Sequence, residues 1–337
     1  MLPGNPNIQR EASCLTMNTI EKISYRLIYG ALWCLSILPF RVLYLLSDVM
    51  SWLLHSVVRY RRRVVRENLV SSLPEKSSEE IARIERNFYT FLTDYTFETI
   101  KMLTMSPEDM HRHLRVVNPE MVDLAIAEGK SVSLLLGHYC NWEWVSSLPT
   151  YFAPGTISAQ VYHHLHSRVM GEIFNRIRTR FGANNIEMGD IMRRHIDWKR
   201  RGVATVTGYI ADQCPKFDMH LFLDFLHHDT GVYTGPERIS RFLDAEVLFC
   251  HLSRPRRGLY ELKFIPIAHN PKEHPDFEIT RRYFALLEDN ILEAPQYWLW
   301  SHHHIVNNGN AAAVDFQILV FFPVLPQALA GFGVEKK

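Results

Sequence analysis

The sequence predicts an α/β fold in which a mixed, mostly buried sheet is flanked by helices and is preceded by a membrane-anchoring helix. Two observations lead to this prediction. Beyond Val116, short apolar runs typical of buried strands alternate with amphipathic helical patterns. Near the N-terminus, a long segment with almost no charge ends in a run of arginines. One globular domain over residues 116–302 behind one anchor is therefore expected.

The expected strands and helices of this domain alternate along the chain. The apolar runs that predict strands are residues 131–136, 157–162, 203–210, 220–226, 246–252 and 260–267. The helical patterns are residues 119–128, 166–181, 190–200, 236–243 and 276–293. An earlier helix is predicted over 76–103, ending at the sequence MSPEDM, within a helical linker region of residues 63–115.

The membrane anchor is expected over residues 24–62, after a polar leader, residues 1–23, that has no predicted structure. Only Arg41 and Asp48 are charged between residues 27 and 58. The uncharged run before Arg41 is shorter than the roughly 20 residues of a membrane-spanning helix. A tilted single span and an interfacial hairpin broken near Pro39 both remain open. The following RYRRRVVR would bind anionic lipid headgroups, and it predicts that the bulk of the chain is cytoplasmic.

Composition excludes several classes of partner. The chain has 37 Lys and Arg against 36 Asp and Glu, so its net charge of +1 gives no basis for a nucleic-acid partner. Its five cysteines are scattered and include no CxxC pair, which argues against disulfides and structural zinc. No metal is expected at the adjacent His302, His303 and His304, because neighbours on one loop converge poorly on one ion. The apolar tail, residues 303–337, fits no part of the α/β pattern.

The strongest chemical pattern is SVSLLLGHYCNWEW, where a strand is followed by His138 and, five positions later, by Glu143. Ligands of α/β sheets bind at strand ends. A carboxylate that folds back onto an imidazole fixes its tautomer and leaves the other ring nitrogen to take a proton. The sequence G-x-S-x-G is absent, so a substrate hydroxyl that His138 deprotonates would itself be the nucleophile.

The chain resembles the lipid A biosynthesis late acyltransferases, which are the lauroyl and myristoyl transferases of the lysophospholipid acyltransferase superfamily. The matching features, in the family's order, are the apolar segment with its basic flank, GHYCNWEW with the H-x4-E form of the motif, VYHHLHSRVMGEIFNRIRTRF, ADQCP, TGPERISRF, GLYELKFIPI and APQYWLWSH. The resemblance covers roughly residues 20 to 302 and implies a glycerol-phosphate-acyltransferase-like fold.

The resemblance also implies roles for individual residues. His138 would be the general base and Glu143 its orienting carboxylate. The other positions would contact substrate: a guanidinium suits a phosphate or an oxyanion, strand-end polar groups face ligands, and a turn before a helix presents N–H groups. These positions are Arg178, Asp212, Gln213, Thr234 and Gly235. The chain departs from the family at His163 and His164, where an Arg is common, and in the sequence that follows Trp300.

The implied reaction is transfer of a fatty acyl chain from acyl carrier protein, as the donor substrate, to a hydroxyl of a lipid A precursor, with no cofactor. The expected place is the cytoplasmic face of a bacterial inner membrane. The acidic carrier could dock on a basic patch such as Lys199, Arg200 and Arg201. Another membrane lipid as acceptor, hydrolysis of an acyl thioester, and a catalytically silent scaffold remain open, as do acyl length and oligomeric state.

Overall fold

The computed structural model describes residues 17–163, 165, 167–212 and 221–301, and its centre is a seven-stranded sheet in the order β1-β9-β8-β2-β5-β3-β4. Neighbouring strands are parallel except for the antiparallel pair β8 and β9. Strands β6 and β7 form a separate two-stranded antiparallel sheet. The strands are β1 (Leu114–Val116), β2 (Val132–Leu136), β3 (Ile157–Tyr162), β4 (Asn184–Glu187), β5 (Thr205–Ile210), β6 (Phe222–Phe225), β7 (His228–Gly231), β8 (Glu246–Arg256) and β9 (Leu259–Ala268).

Helices flank this sheet, which confirms the predicted mixed α/β fold. They are α1 (Thr19–Ile37), α2 (Phe40–Trp52), α3 (Arg62–Ser72), α4 (Ser78–Lys101), α5 (Pro107–His113), α6 (Glu120–Ala127), α7 (Arg168–Thr179), α8 (Ile191–Arg200), α9 (Gly235–Leu243) and α10 (Glu278–Glu293). A 3-10 helix, Trp142–Thr150, follows β2. All five residues of β2 are buried, as expected for a strand with a neighbour on each side and helices above and below.

The six predicted strands are all present, but several short elements were missed. Strands β1, β4 and β7 have three or four residues, too few for a readable alternation. The sequence MSPEDM does end α4, yet it also opens α5: Ser106 and Asp109 form a capping box, and Pro107 is the first helical residue. Helix α1 begins at Thr19, inside the predicted polar leader, because Asn18 and Glu21 form another capping box.

The N-terminal segment is a bent helical pair, which we call the hairpin. Helix α1 ends at Ile37, and α2 begins after Pro39, which cannot donate the backbone hydrogen bond that a continuous helix needs. Within the described residues, no single helix is long and apolar enough to cross a bilayer. The segments Thr19–Ile37 and Phe40–Val57 meet that requirement only together, and a bend of 117° separates them. The predicted break near Pro39 is present, and the expected membrane-anchoring helix is not confirmed.

The outer face of the hairpin is apolar. Among the described residues, 12 of the 21 large apolar side chains that are exposed lie between Ile20 and Val58. On α2 the buried residues recur every four positions, at Leu43, Ser47 and Ser51, and pack against α4. The exposed apolar side chains of α2 occupy its opposite side: Val42, Leu45, Leu46, Val49 and Trp52. So concentrated an apolar surface is typical of a site that contacts a membrane or a partner.

Helix α4 connects the hairpin to the sheet domain. Its first turn carries a capping box of Ser77 and Glu80, and most of its remaining length is buried. It packs against α1, α2 and α3 and against the 3-10 turn Pro295–Tyr297. Three carboxylates, Glu85, Asp94 and Glu98, lie fully buried on this helix. The region expected to be a helical linker therefore contributes to the core.

Candidate active site

His138 and Asp212 meet at the carboxyl ends of two neighbouring parallel strands. In the register of β2 and β5, Leu136 pairs with Ile210, so His138 and Asp212 each lie two residues beyond paired positions. The imidazole Nδ1 of His138 lies 2.7 Å from Asp212 Oδ1, and the backbone N–H of His138 donates to Asp212 Oδ2 at 2.8 Å. The carboxyl ends of parallel strands are where α/β folds bind their ligands.

Asp212 is held in place from a second direction. The indole Nε1–H of Trp298 donates to Asp212 Oδ2 at 2.9 Å, and the Asp212 side chain has no exposed surface. A carboxylate bound to Nδ1 favours the tautomer with hydrogen on that nitrogen, which leaves the lone pair on Nε2. His138 is thus oriented as a base, with 14% of its side chain exposed.

Gly137 allows this close approach. A Cβ atom at Gly137 would lie 2.6 Å from Leu287 Cδ1 and 3.2 Å from Asp212 Oδ2. Leu287 is itself fully buried on α10, so the first of these contacts has little room to relax. The glycine before His138 is therefore required by the packing of α10 and Asp212 against the end of β2.

Glu143 forms an ion pair with Arg178. Arg178 Nε donates to Glu143 Oε2 at 2.7 Å, and Arg178 Nη2 donates to Glu143 Oε1. Both residues are buried, Glu143 at 3% and Arg178 at 7% exposure. Burial disfavours the charged guanidinium, but Glu143 outweighs that effect and raises the pKa of Arg178 above its ordinary value. The pair keeps Arg178 charged beside the turn that carries His138.

The positions of the two carboxylates differ from the sequence-based expectation. Glu143 was expected to orient His138, and Asp212 to contact substrate. In the structure the carboxylate on His138 is that of Asp212, while Glu143 lies in the first turn of the 3-10 helix and binds Arg178. The reason is geometric: the register of two parallel strands places Asp212 beside Nδ1, whereas the 3-10 turn directs Glu143 toward α7.

Two aromatic rings connect His138 to Glu143. The ring of Trp142 contacts His138 edge-on at a centroid distance of 5.2 Å and stacks on Tyr95 at 4.1 Å. The Tyr95 hydroxyl donates to Glu143 Oε1 at 3.4 Å. Burial, followed by the charge of Glu143, raises the pKa of Tyr95 well above its ordinary value, so its hydroxyl stays protonated. The rings form an apolar wall beside the imidazole.

Cys140, the thiol nearest to His138 in sequence, is unsuited to be a nucleophile. It is fully buried, and burial raises the pKa of its thiol well above the ordinary value. Its backbone adopts a left-handed conformation, with φ of 51°, and its N–H donates to the carbonyl oxygen of Tyr297 at 2.9 Å. Cys140 therefore shapes the turn between His138 and Glu143.

Thr234 and Gly235 lie at the start of α9. Thr234 is the N-cap residue of α9, and it lines a groove of about 530 Å³ with Glu237, Arg241 and Phe277. In the described part of the chain, the lining of this groove includes none of His138, Glu143, Arg178 and Asp212. Gln213 and the histidines 302–304 lie outside the described residues.

The basic patch expected to receive the acyl carrier lies at the amino-terminal ends of the parallel strands. Lys199, Arg200 and Arg201 precede β5, whose first residue is Thr205, whereas His138 follows the end of β2. Because β2 and β5 are parallel, the patch and the imidazole lie at opposite ends of the strands. This placement disfavours the patch as the point where a donor reaches His138.

Sequence reasoning assigned no role to several residues that build the site. Trp298 was quoted only as part of the motif APQYWLWSH, although its indole binds Asp212. Tyr95 lay within the predicted helix 76–103 and Asn141 within the motif GHYCNWEW, both without a role of their own. Their contacts join segments far apart in sequence, so no local pattern carries that information. Among the described residues, no group of three His, Cys, Asp or Glu side chains is placed to hold a metal ion.

Comparison with known protein families gives a match. A family model described as "Bacterial lipid A biosynthesis acyltransferase" matches residues 16–305, which is most of the chain and includes every site residue discussed above. A search of curated proteins found no match.

Proposed function

The chain belongs to the bacterial lipid A biosynthesis acyltransferases, and from this premise we propose that it transfers a fatty acyl chain from acyl carrier protein to a hydroxyl of a lipid A precursor. The observation that carries the proposal is the His138 and Asp212 pair at the carboxyl edge of the sheet. It supplies a base oriented by a buried carboxylate, and group transfer to an alcohol requires one.

In the proposed step, Nε2 of His138 takes the proton of the acceptor hydroxyl while its oxygen attacks the thioester carbonyl. A C–O bond forms, and the C–S bond to the carrier breaks. The departing sulfur takes the proton from the imidazolium, so the base is regenerated and no oxidant or cofactor is needed. Asp212 stabilises the imidazolium through Nδ1 without itself becoming protonated.

We assign Arg178 the stabilisation of negative charge in this step. The guanidinium is buried, and Glu143 fixes it through two of its nitrogens. A fixed positive charge in a site shielded from water stabilises an oxyanion or a phosphate more strongly than a mobile one does. In this proposal Glu143 is a positioning residue for Arg178, and Asp212 has that role for His138.

We propose that the hairpin lies in the membrane interface, on the cytoplasmic face of the inner membrane. Its exposed apolar side chains would enter the boundary between headgroups and acyl chains, as monotopic amphipathic helices do. Of the arginines that follow, Arg62 and Arg66 bind the buried Glu85. Arg59 and Arg63 are exposed and are the better placed to contact lipid phosphates.

The test is acyl transfer by the detergent-solubilised full chain from a panel of acyl carrier protein thioesters to a tetraacylated lipid A precursor, read by mass spectrometry. We expect an acylated product, and we expect His138→Ala to lower the rate by about 10²–10⁴-fold. His269→Ala is the matched control, because this exposed histidine follows β9 and lies at the end of the strands opposite to His138. The variant should transfer the acyl chain at the wild-type rate.

Each alternative predicts a different result in the same experiment. Free fatty acid without acylated lipid would replace the proposal with thioester hydrolysis. Transfer only to another lipid, such as a glycerol phosphate, would keep the chemistry and change the acceptor. A folded protein that gives neither product would indicate a silent scaffold.

A further inference from the structure

A fully buried carboxylate, Glu98, is bonded to the turn that carries His138. Its Oε2 accepts a hydrogen bond of 2.8 Å from Asn141 Nδ2, and its backbone oxygen accepts one of 3.2 Å from Trp144 Nε1. Both donors belong to the segment 138–144, which places His138 and Glu143. Glu98 itself lies on α4 and is neither a neighbour in sequence nor part of the site described above.

Asn141 uses both ends of its amide. While Nδ2 binds Glu98, Oδ1 accepts from the backbone N–H of Trp144 at 3.3 Å and so caps the 3-10 helix on which Glu143 lies. The amide can make both bonds in only one orientation. The bond to Glu98 therefore fixes where the 3-10 helix starts, relative to His138 on one side and Glu143 on the other.

The turn needs such support because its backbone is strained. Cys140, directly before Asn141, has a left-handed conformation that a residue with a side chain rarely adopts. Strained conformations persist only where the surroundings determine them strongly. Here the backbone bond from Cys140 to Tyr297 holds the turn on one side, and the bond from Asn141 to Glu98 holds it on the other.

Glu98 is held by three other elements. Tyr44 of α2 donates to Oε1 at 2.9 Å, and Tyr260 of β9 donates to Oε2 at 2.7 Å. Arg254 of β8 lies 3.5 Å from Oε1 and binds the neighbouring Asp94 at 2.7 Å. A carboxylate with this many partners is fixed in position, and Tyr44 joins it to the membrane-facing hairpin.

We propose that Glu98 is a positioning residue for acyl transfer, which holds the turn between His138 and Glu143 through Asn141. The inference rests on the proposed function for its kinetic consequence. It requires no direct contact between Glu98 and substrate. Displacement of catalytic groups by about 1 Å can lower a rate by 10²-fold, so loss of this bond should lower kcat more than it changes KM.

The test is a reciprocal exchange of the two bonded groups. Asn141→Asp places a carboxylate opposite the Glu98 carboxylate and so loses the bond, whereas Glu98→Gln alone keeps an amide oxygen that can still accept from Asn141 Nδ2. The double variant restores an amide-to-carboxylate bond of reversed direction and the wild-type charge. We expect Asn141→Asp to lower kcat by about 10–100-fold, Glu98→Gln to lower it less, and the double variant to recover most of the loss seen in Asn141→Asp.

Two variants separate positioning from stability. Asn141→Ser keeps a side-chain oxygen that can cap the 3-10 helix and removes only the donor to Glu98, so it should fold and still lose kcat. Tyr89→Phe removes a hydrogen bond of 2.6 Å from the same helix α4 to the carbonyl oxygen of Tyr60, a contact that involves neither Glu98 nor the turn. It should lower the midpoint of thermal unfolding and leave kcat at the wild-type value.

A readout independent of turnover is the rate at which diethyl pyrocarbonate modifies His138, followed by peptide mass spectrometry. We expect Asn141→Ser to change this rate and the double variant to restore it. Wild-type kcat and His138 reactivity in Asn141→Ser, or a double variant no better than the worse single variant, would overturn the proposal. If the wild-type chain transferred no acyl group, the proposed function would fail, and His138 reactivity would still decide whether Glu98 positions the turn.

Discussion

Arg178 reaches from the last turn of α7 to bind both carboxylate oxygens of Glu143, and neither residue is more than 7% exposed. A paired guanidinium and carboxylate in the interior satisfy each other, but either one alone would be a buried, uncompensated charge. Glu143, in the H-x4-E turn, is therefore coupled to the helix that connects β3 to β4 in the chain, and both partners must be present for the turn to pack as it does.

Removing one partner of this pair should destabilise the protein more than removing both. We expect Glu143→Ala to lower the free energy of unfolding by about 3–5 kcal/mol, the cost typical of a broken buried pair. The double variant Glu143→Ala with Arg178→Met should lose less than Glu143→Ala alone, because it leaves no uncompensated buried charge. Thermal and denaturant unfolding measure this. Glu67→Ala is the control, because its pair with Arg63 is exposed and should contribute less than about 1 kcal/mol.

The hairpin should bind vesicles through its exposed apolar face. Leu45→Glu places a charge on that face, where Leu45 is 67% exposed, so it should weaken binding to anionic vesicles without affecting folding. Co-sedimentation with vesicles containing phosphatidylglycerol measures the binding. Leu124→Glu, at a side chain 63% exposed on α6, is the matched control and should bind as the wild type does. Equal binding by both variants would contradict the proposed attachment.

His195 should make the fold sensitive to acid. Burial lowers its pKa to about 4, and its Nε2 lies 2.9 Å from the hydroxyl of Tyr209. The unfolded chain binds a proton at this histidine near pH 6.5, and the folded chain binds it only near pH 4, so stability should fall as pH drops from 6.5 toward 4. Thermal unfolding at several pH values measures this. His195→Gln should flatten the dependence in that window, and an unchanged slope would contradict the assignment.

The replacement Gly137→Ala tests the packing at the end of β2. The added methyl group would overlap Leu287 and approach Asp212, which should cost about 1–3 kcal/mol of stability as other overpacked sites do. The second change Leu287→Ala should recover part of this loss if the overlap is its cause. No recovery would indicate that the methyl group acts through Asp212 or the backbone instead.

The sequence allowed the fold class and most strands to be predicted, because buried strands are read from local apolar runs. The run 131–136 ends where β2 ends, so His138 was correctly placed at a strand end. The position of Asp212 at the end of the next strand was also readable. The adjacency of these two strands was not, because it depends on the order β2-β5-β3, which no local pattern encodes.

That missing order explains the exchange of roles between the two carboxylates. Glu143 is closer to His138 in sequence, and sequence proximity favoured it as the partner. In the folded chain Asp212 is the carboxylate that contacts the imidazole, because the register of Leu136 and Ile210 brings position 212 beside position 138. The contacts of Glu98 with Asn141 and of Trp298 with Asp212 could not be predicted from the sequence either, since each joins segments that are more than 40 residues apart.

The central claim is that Asp212 orients His138 for acyl transfer, and single-turnover transfer by Asp212→Asn tests it most directly. An asparagine is nearly the same shape, but its amide favours the wrong tautomer of the imidazole when its N–H group faces Nδ1. We predict that the folded variant binds acyl carrier protein thioester as the wild type does and transfers the chain to the lipid A precursor about 10³–10⁴-fold more slowly. Transfer within a few fold of the wild-type rate would contradict the account.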